Sequence, residues 1–301
     1  MDLIHGAVAN PDLYFENGKA ESTYGYYKVV PNGDVKGLLV LLPGYGRSSN
    51  QIIKETQLPA VAKESQIATI FPTINQRSTL DSISTVLITA SIKDMTDKYN
   101  IPKDRVFLGG FSSGGNLALL YTEMSVKNKG NAYVVPKGVF AVDAPVDLIQ
   151  LHYTMVRTTE ANCNEAYVNE AKWVVANDIK KYGGTPEQNP TGYITDSPYS
   201  RSAKNGGNAQ YLKDLPVRLY TDPDIKWNLE VRCADYYDMN AFGLAGMIRF
   251  LKLSGNKNAE LISAINKGYD LNGKRNPHSW SILDAKDCKE WMIEGFNDTV
   301  K

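Results

Sequence analysis

The most constraining feature is the abrupt passage from an apolar run to a helical run between residues 104 and 120, D-R-V-F-L-G-G-F-S-S-G-G-N-L-A-L-L. Residues 106–108 have the length and apolarity of a buried strand, and residues 116–121 read as a helix. Between them Gly110-Phe111-Ser112-Ser113-Gly114 forms a G-x-S-x-G pattern. A strand that turns at once into a helix forces a cramped backbone on the apex residue, and small residues two before and two after it let neighbouring segments approach. Ser112 is that apex. Ser113 is excluded, because Phe111 stands two before it. A serine placed there projects beyond the sheet edge, with the positive end of a helix behind it to favour developing negative charge.

The rest of the chain alternates in the same way. Residues 21–31 read as an edge strand, closed by the turn residues 31–34. Residues 37–42, 67–71, 138–142, 215–220 and 260–265 read as further strands, most of them apolar throughout as expected of strands covered on both faces. Helical patterns occupy residues 51–65 (interrupted at Pro59), 80–99 with Asp81 or Ser82 as cap, 235–252, and a terminal stretch to about residue 296. Such alternation predicts an α/β fold with a doubly wound, mainly parallel sheet. Residues 148–212 break the rhythm: 164–182 look helical, and Gly, Asn, Pro and Ser dominate 183–210.

The motif G-G-F-S-S-G-G resembles the nucleophile elbow of the α/β-hydrolase superfamily, in its esterase and dienelactone-hydrolase-like branches. The resemblance covers residues 24–296 and implies a single domain over 1–301, with 148–212 as a cap inserted among the strands. It also implies roles. The loop 43–50 after the strand at 37–42 supplies one oxyanion donor, the backbone N–H of Tyr45, and Ser113 N–H supplies the second; Pro43 stands where the family commonly has histidine. The family order is serine, acid, histidine. Of the three histidines, His5 precedes the serine and His152 falls in the cap, so His278, in the loop after the last strand, is the expected base. The acid is expected after the strand at 215–220, where Asp224 is preferred and Asp222 is the alternative. Asp143 and Asp147, after the preceding strand, come next. His152, Tyr153 and Trp173 are candidates for a cap-side pocket wall, and Trp227 and Trp280 for an acyl or aromatic pocket.

The chemistry this implies is hydrolysis of a carboxylic ester through an acyl-enzyme, with a small-molecule substrate and no cofactor or metal. A peptidase related to prolyl oligopeptidases and a hydrolase-like binding protein without turnover are the alternatives. Lys plus Arg and Asp plus Glu are both 33, so the formal charge is zero, which gives no footprint for nucleic acid. No apolar run has the length of a membrane span, and the first residues lack a signal-peptide pattern. The chain is therefore expected to be cytoplasmic, or secreted with its signal removed. Cys163, Cys233 and Cys288 fit neither a zinc pattern nor a disulfide framework. Buried thiols are expected, with one bridge possible.

Overall fold

The apolar runs become the centre of one sheet. In the computed structural model, which describes residues 2–5, 25–74 and 79–297, eight strands form: β1 (Asp2–His5), β2 (Gly25–Val29), β3 (Gly37–Leu42), β4 (Ile67–Pro72), β5 (Val106–Phe111), β6 (Gly138–Val142), β7 (Val217–Thr221) and β8 (Ala259–Ser263). Their spatial order is β1-β2-β4-β3-β5-β6-β7-β8. The six strands from β4 to β8 run parallel, and β1 and β2 are antiparallel additions at one side. The helices are α1 (Ile52–Glu55), α2 (Leu58–Glu64), α3 (Ser82–Tyr99), α4 (Ser113–Lys127), α5 (Leu148–Ala161), α6 (Glu165–Tyr182), α7 (Pro190–Thr195), α8 (Ile225–Trp227), α9 (Asn240–Leu253) and α10 (Ala285–Asn297).

Strands β3 to β7 are buried along their whole length. That is why β3 to β6 are largely continuous apolar runs rather than alternating ones, while β7 admits Arg218, which pairs with Glu260 and Asp287. Successive side chains serve opposite faces. Leu38, Val40 and Leu42 join a core with Ile88 and Met95 of α3, Leu117 of α4 and Leu244 and Leu251 of α9. Leu39 and Leu41 join a second core with Leu58 of α2 and Cys288, Trp291 and Phe296 of α10.

Several expectations change. The strand read at 21–31 forms only over Gly25–Val29, residues 21–24 lying outside the described set. It is not an edge, because β1 pairs with it at Asp2↔Lys28 through His5↔Gly25. The helix expected over 235–252 starts at Asn240, and residues 225–238 fold into short turns, including a π-helical one at Asn228–Arg232. Cys163 and Cys233 are joined by a disulfide, and Cys288 alone is a buried thiol.

The stretch between β6 and β7 holds two helices more than expected, α5 and the short α7. Asp147 caps α5, accepting from Ile149 N and Gln150 N, and also accepts from Arg201 N at 2.9 Å, so one carboxylate ties together both ends of the excursion. Asn162, at φ 48°, ends α5, and the Asn164 side chain caps α6. The excursion has its own small core of Leu148, Tyr182 and Tyr193.

Candidate active site

The site lies beyond the carboxyl ends of β5, β6 and β7, where parallel strands leave a crevice. Ser112 follows β5 directly and caps α4, with φ 53° and ψ −125°. That conformation is sparsely populated for a residue with a Cβ, at a cost of about 1–3 kcal/mol. The turn closes because its flanks are bare: a Cβ on Gly110 would stand 2.2 Å from the Gly114 carbonyl oxygen, and one on Gly114 would stand 2.3 Å from that of Pro43.

Asp143 occupies the equivalent place on the next strand. Phe111 pairs with Val142 across the parallel β5–β6 ladder, so the residues that follow, Ser112 and Asp143, emerge side by side. Ser112 N donates to Val142 O at 2.9 Å, and Asp143 N donates to Tyr220 O at 2.8 Å. Asp143 also has a positive φ, 43°. Its Oδ1 accepts from Thr221 Oγ1 at 3.1 Å, and its backbone oxygen accepts from Asn240 Nδ2 at 2.8 Å.

His278 bridges the two. Nε2 is 3.1 Å from Ser112 Oγ, and Nδ1 is 2.6 Å from Asp143 Oδ2. The ring packs against Phe111 at 4.6 Å between centroids, and its backbone N–H donates to Asn276 Oδ1. Thus the structure brings Ser112 and His278 together, but not with the aspartate preferred from the sequence. Both ring nitrogens of His278 are occupied, and Asp224 faces elsewhere. One Asp224 oxygen accepts from Trp227 N at 2.9 Å as the cap of α8, and the other pairs with Arg275 at 2.8 Å. Asp222, the alternative, is buried and accepts from the backbone N–H groups of Asn266, Lys267 and Gly268 while pairing with Arg275 Nη1 at 2.7 Å. These two aspartates hold the loop that carries the histidine; neither meets its ring. Asp147 is absorbed by its backbone contacts, and burial raises its pKa against those N–H groups. The signal for Asp143 was its position, immediately after an apolar strand neighbouring the one that ends at Ser112.

Ser113 opens α4, so its N–H has no intrahelical acceptor. The loop bearing Tyr45 runs close by: a Cβ on Gly44 would stand 3.4 Å from Ser112 Cβ. The Tyr45 ring stacks on Trp173 of α6 at 4.4 Å. Tyr45, Trp173 and Trp227 line a cavity of about 190 Å³ that opens on Ser112, Asp143 and His278 and is roofed by α5 and α6. His152 instead lies in the packing of α5, 3.3 Å from Asp178 and ring to ring with Tyr193 and Tyr153. Asp178 reaches the cavity wall, and burial pushes its carboxyl up although His152 draws it down. Trp280 is core, against Phe111.

No protein-family model matches the sequence, and no curated protein matches it in sequence. Solved structures do match in shape. An acetyl ester-xyloside bifunctional hydrolase from Caldicellulosiruptor lactoaceticus superposes with a TM-score of 0.61 at 13% identity, covering 98% of this chain and 97% of its own. Carboxyl esterase 2 from the mycorrhizal fungus Tuber melanosporum gives 0.57 at 14% identity, over 92% and 82%. The fluorophosphonate-binding serine hydrolase F of Staphylococcus aureus gives 0.52 at 14%, over 92% and 93%. The architecture is the α/β-hydrolase fold, as the elbow motif led one to expect.

Proposed function

We propose that this chain is a serine hydrolase that cleaves carboxylic esters through an acyl-enzyme, with Ser112 as nucleophile, His278 as base and Asp143 as the orienting acid. The observation that carries the reading is the bridge of His278 between Ser112 Oγ and Asp143 Oδ2, at 3.1 and 2.6 Å. A serine hydroxyl needs a base within hydrogen-bond reach, and the base needs a partner that fixes its tautomer. With Asp143 accepting from Nδ1–H, Nε2 presents its lone pair to the serine.

In the first half-reaction Ser112 Oγ bonds to the acyl carbon as its proton passes to Nε2. The carbon–alkoxy bond then breaks and Nε2 returns the proton to the leaving oxygen. In the second, water adds to the acyl carbon under the same base, and the Ser112 ester bond breaks to release the acid. The N–H groups of Tyr45 and Ser113 are the oxyanion donors in this reading, supported by the position of Ser113 at the start of α4 and by the approach of the Gly44 loop to Ser112. Residues 1–301 act as one domain, with 148–212 capping the cavity.

Hydrolysis of short p-nitrophenyl esters tests the reading. Ser112→Ala should lose turnover on the order of a million-fold, as in a comparable triad, and should no longer be labelled by a fluorophosphonate. Wild-type turnover in that variant sinks the assignment. Cleavage of aminoacyl anilides but not esters transfers it to peptide bonds, and neither turnover nor labelling transfers it to a binding protein.

A further inference from the structure

The cavity is lined by six carboxylates and, among the described residues, by a single lysine or arginine, Arg232. Five of the carboxylates are engaged. Asp143 faces His278, Asp178 faces His152, Asp222 faces Arg275, Asp238 faces Arg157, and Asp147 accepts backbone N–H groups. The sixth, Glu170, is exposed. Among the described residues Arg232 has no carboxylate partner within salt-bridge distance. Its guanidinium carbon lies 4.4 Å from the centroid of the Tyr167 ring and 5.5 Å from that of Trp227, and both rings also line the cavity. Its Nε is buried and makes no hydrogen bond to any of the described residues.

An arginine in this state is unusual. Aromatic faces hold the cation in place, but they leave its in-plane N–H donors unused, and a buried unbonded donor is costly. The fork suits a planar carboxylate. The chain also fixes the fork's position. Arg232 closes the π-helical turn Asn228–Arg232, and the next residue, Cys233, at φ 51°, is bonded to Cys163, four residues before Tyr167. The disulfide thus joins the segment carrying the guanidinium to the helix carrying the ring beneath it.

We propose that Arg232 is the specificity residue of this cavity and that the substrates are esters carrying a second, anionic group: a free carboxylate on the acyl chain or on the alcohol, bound by the guanidinium while Ser112 meets the ester carbonyl. The proposal rests on the serine-hydrolase reading for its chemistry, and on Arg232 alone for its selectivity.

Two pairs of substrates read the ratio of kcat/KM for anionic over neutral esters: mono-p-nitrophenyl adipate against p-nitrophenyl hexanoate, and 4-acetoxybenzoate against phenyl acetate. Acetylcholine against 3,3-dimethylbutyl acetate is the cationic control. In at least one anionic pair the wild-type ratio should exceed roughly tenfold, the factor that about 1.4 kcal/mol of charge-assisted hydrogen bonding supplies. It should fall toward one in Arg232→Gln and recover in part in Arg232→Lys. Equilibrium binding of adipate and 4-hydroxybenzoate, followed calorimetrically, reads the same contact without turnover, and Arg232→Gln should weaken it by roughly tenfold. Wild-type ratios at or below one in both pairs, or ratios and binding unchanged in Arg232→Gln, overturn the proposal, as does a preference for acetylcholine. Fluorophosphonate labelling separates the two readings. A labelled enzyme without the preference refutes the role of Arg232, whereas an unlabelled protein that binds adipate through Arg232 refutes only the serine chemistry.

Discussion

Asp143 Oδ2 lies 2.6 Å from Nδ1 of His278, across 135 residues of sequence. The contact depends on parallel register, since β6 delivers Asp143 beside the serine at the end of β5 and the loop after β8 brings the ring over both. Asp143→Asn should therefore lower kcat at least about a hundred-fold, because an amide can hold the imidazole in the wrong tautomer; the comparable substitution in a protease costs about ten-thousand-fold. Asp224→Asn should cost far less in kcat and should lower the thermal midpoint instead, by weakening the cap of α8 and the pair with Arg275. Ester kinetics and melting curves of the two variants, run side by side, check this. The reverse ranking would return the acid to Asp224.

Arg275 holds the histidine loop from below. Its guanidinium spans Asp222 at 2.7 Å and Asp224 at 2.8 Å and donates to Gly268 O at 2.6 Å. A lysine cannot reproduce that fork. Arg275→Lys should reduce kcat on p-nitrophenyl esters by roughly tenfold, since displacing a catalytic group by about 1 Å can cost up to a hundred-fold. It should also lower the thermal midpoint. The rate per active site, with sites counted by fluorophosphonate labelling, should fall in the variant, which a loss of folded protein alone would not produce. An unchanged rate per labelled site would mean that the loop holds its position without the clamp.

Glu123 tests the energetics of the core. It sits in α4 with no exposure, and neither carboxylate oxygen has a hydrogen-bond partner among the described residues. Burial pushes its pKa well above the ordinary value of 4.5. The folded state keeps it protonated while the unfolded chain ionises, so its contribution is intact below pH 4.5 and is lost as pH rises toward the folded-state pKa. The loss proceeds at up to about 1.4 kcal/mol per pH unit. Glu123→Met, which does not titrate, should be more stable than wild type at pH 8, with the difference shrinking toward pH 4.5. Denaturant melts at the two pH values decide it, and a pH-independent difference would refute the assignment of a neutral buried acid.

The Cys163–Cys233 bridge closes a span of 70 residues. Chain-entropy arguments assign a loop of that size about 4 kcal/mol, with measured values commonly about 2–5. A Cys163→Ser/Cys233→Ser variant should therefore unfold at lower urea than wild type, and reductant should shift the wild type in the same direction. If reductant leaves the melting curve unmoved, the bridge contributes nothing to stability.

Much of the architecture was legible because local chemistry dictates it. Strands buried on both faces must be apolar throughout, so the runs at 37–42, 67–71 and 138–142 could be read directly, and α3 and α6 fall within two residues of their predicted ends. The helix expected from residue 235 begins only at Asn240, since composition does not reveal that a π turn, a disulfide and an aromatic pair hold the preceding segment in short pieces. Helices α5 and α7 were not legible: α5 buries a mixed face, Leu148 with the polar His152 and Thr154, against α6 and a small cap core, and α7 spans only Pro190–Thr195.

The sequence by itself determined that Ser112 stands at a strand-to-helix apex. That outcome needs only bare residues at Gly110 and Gly114 and an apolar run before them, all within a few positions of one another. It also placed His278 in the loop after the last strand. Only the tertiary structure decided which carboxylate meets the ring. Asp143, Asp222 and Asp224 all follow strands buried along their length, and nothing local distinguishes them. Sheet order places β6 next to β5 and β7 one strand further away. Arg275, invisible as a partner in the linear chain, takes up the two aspartates beyond β7 and leaves Asp143 facing the histidine.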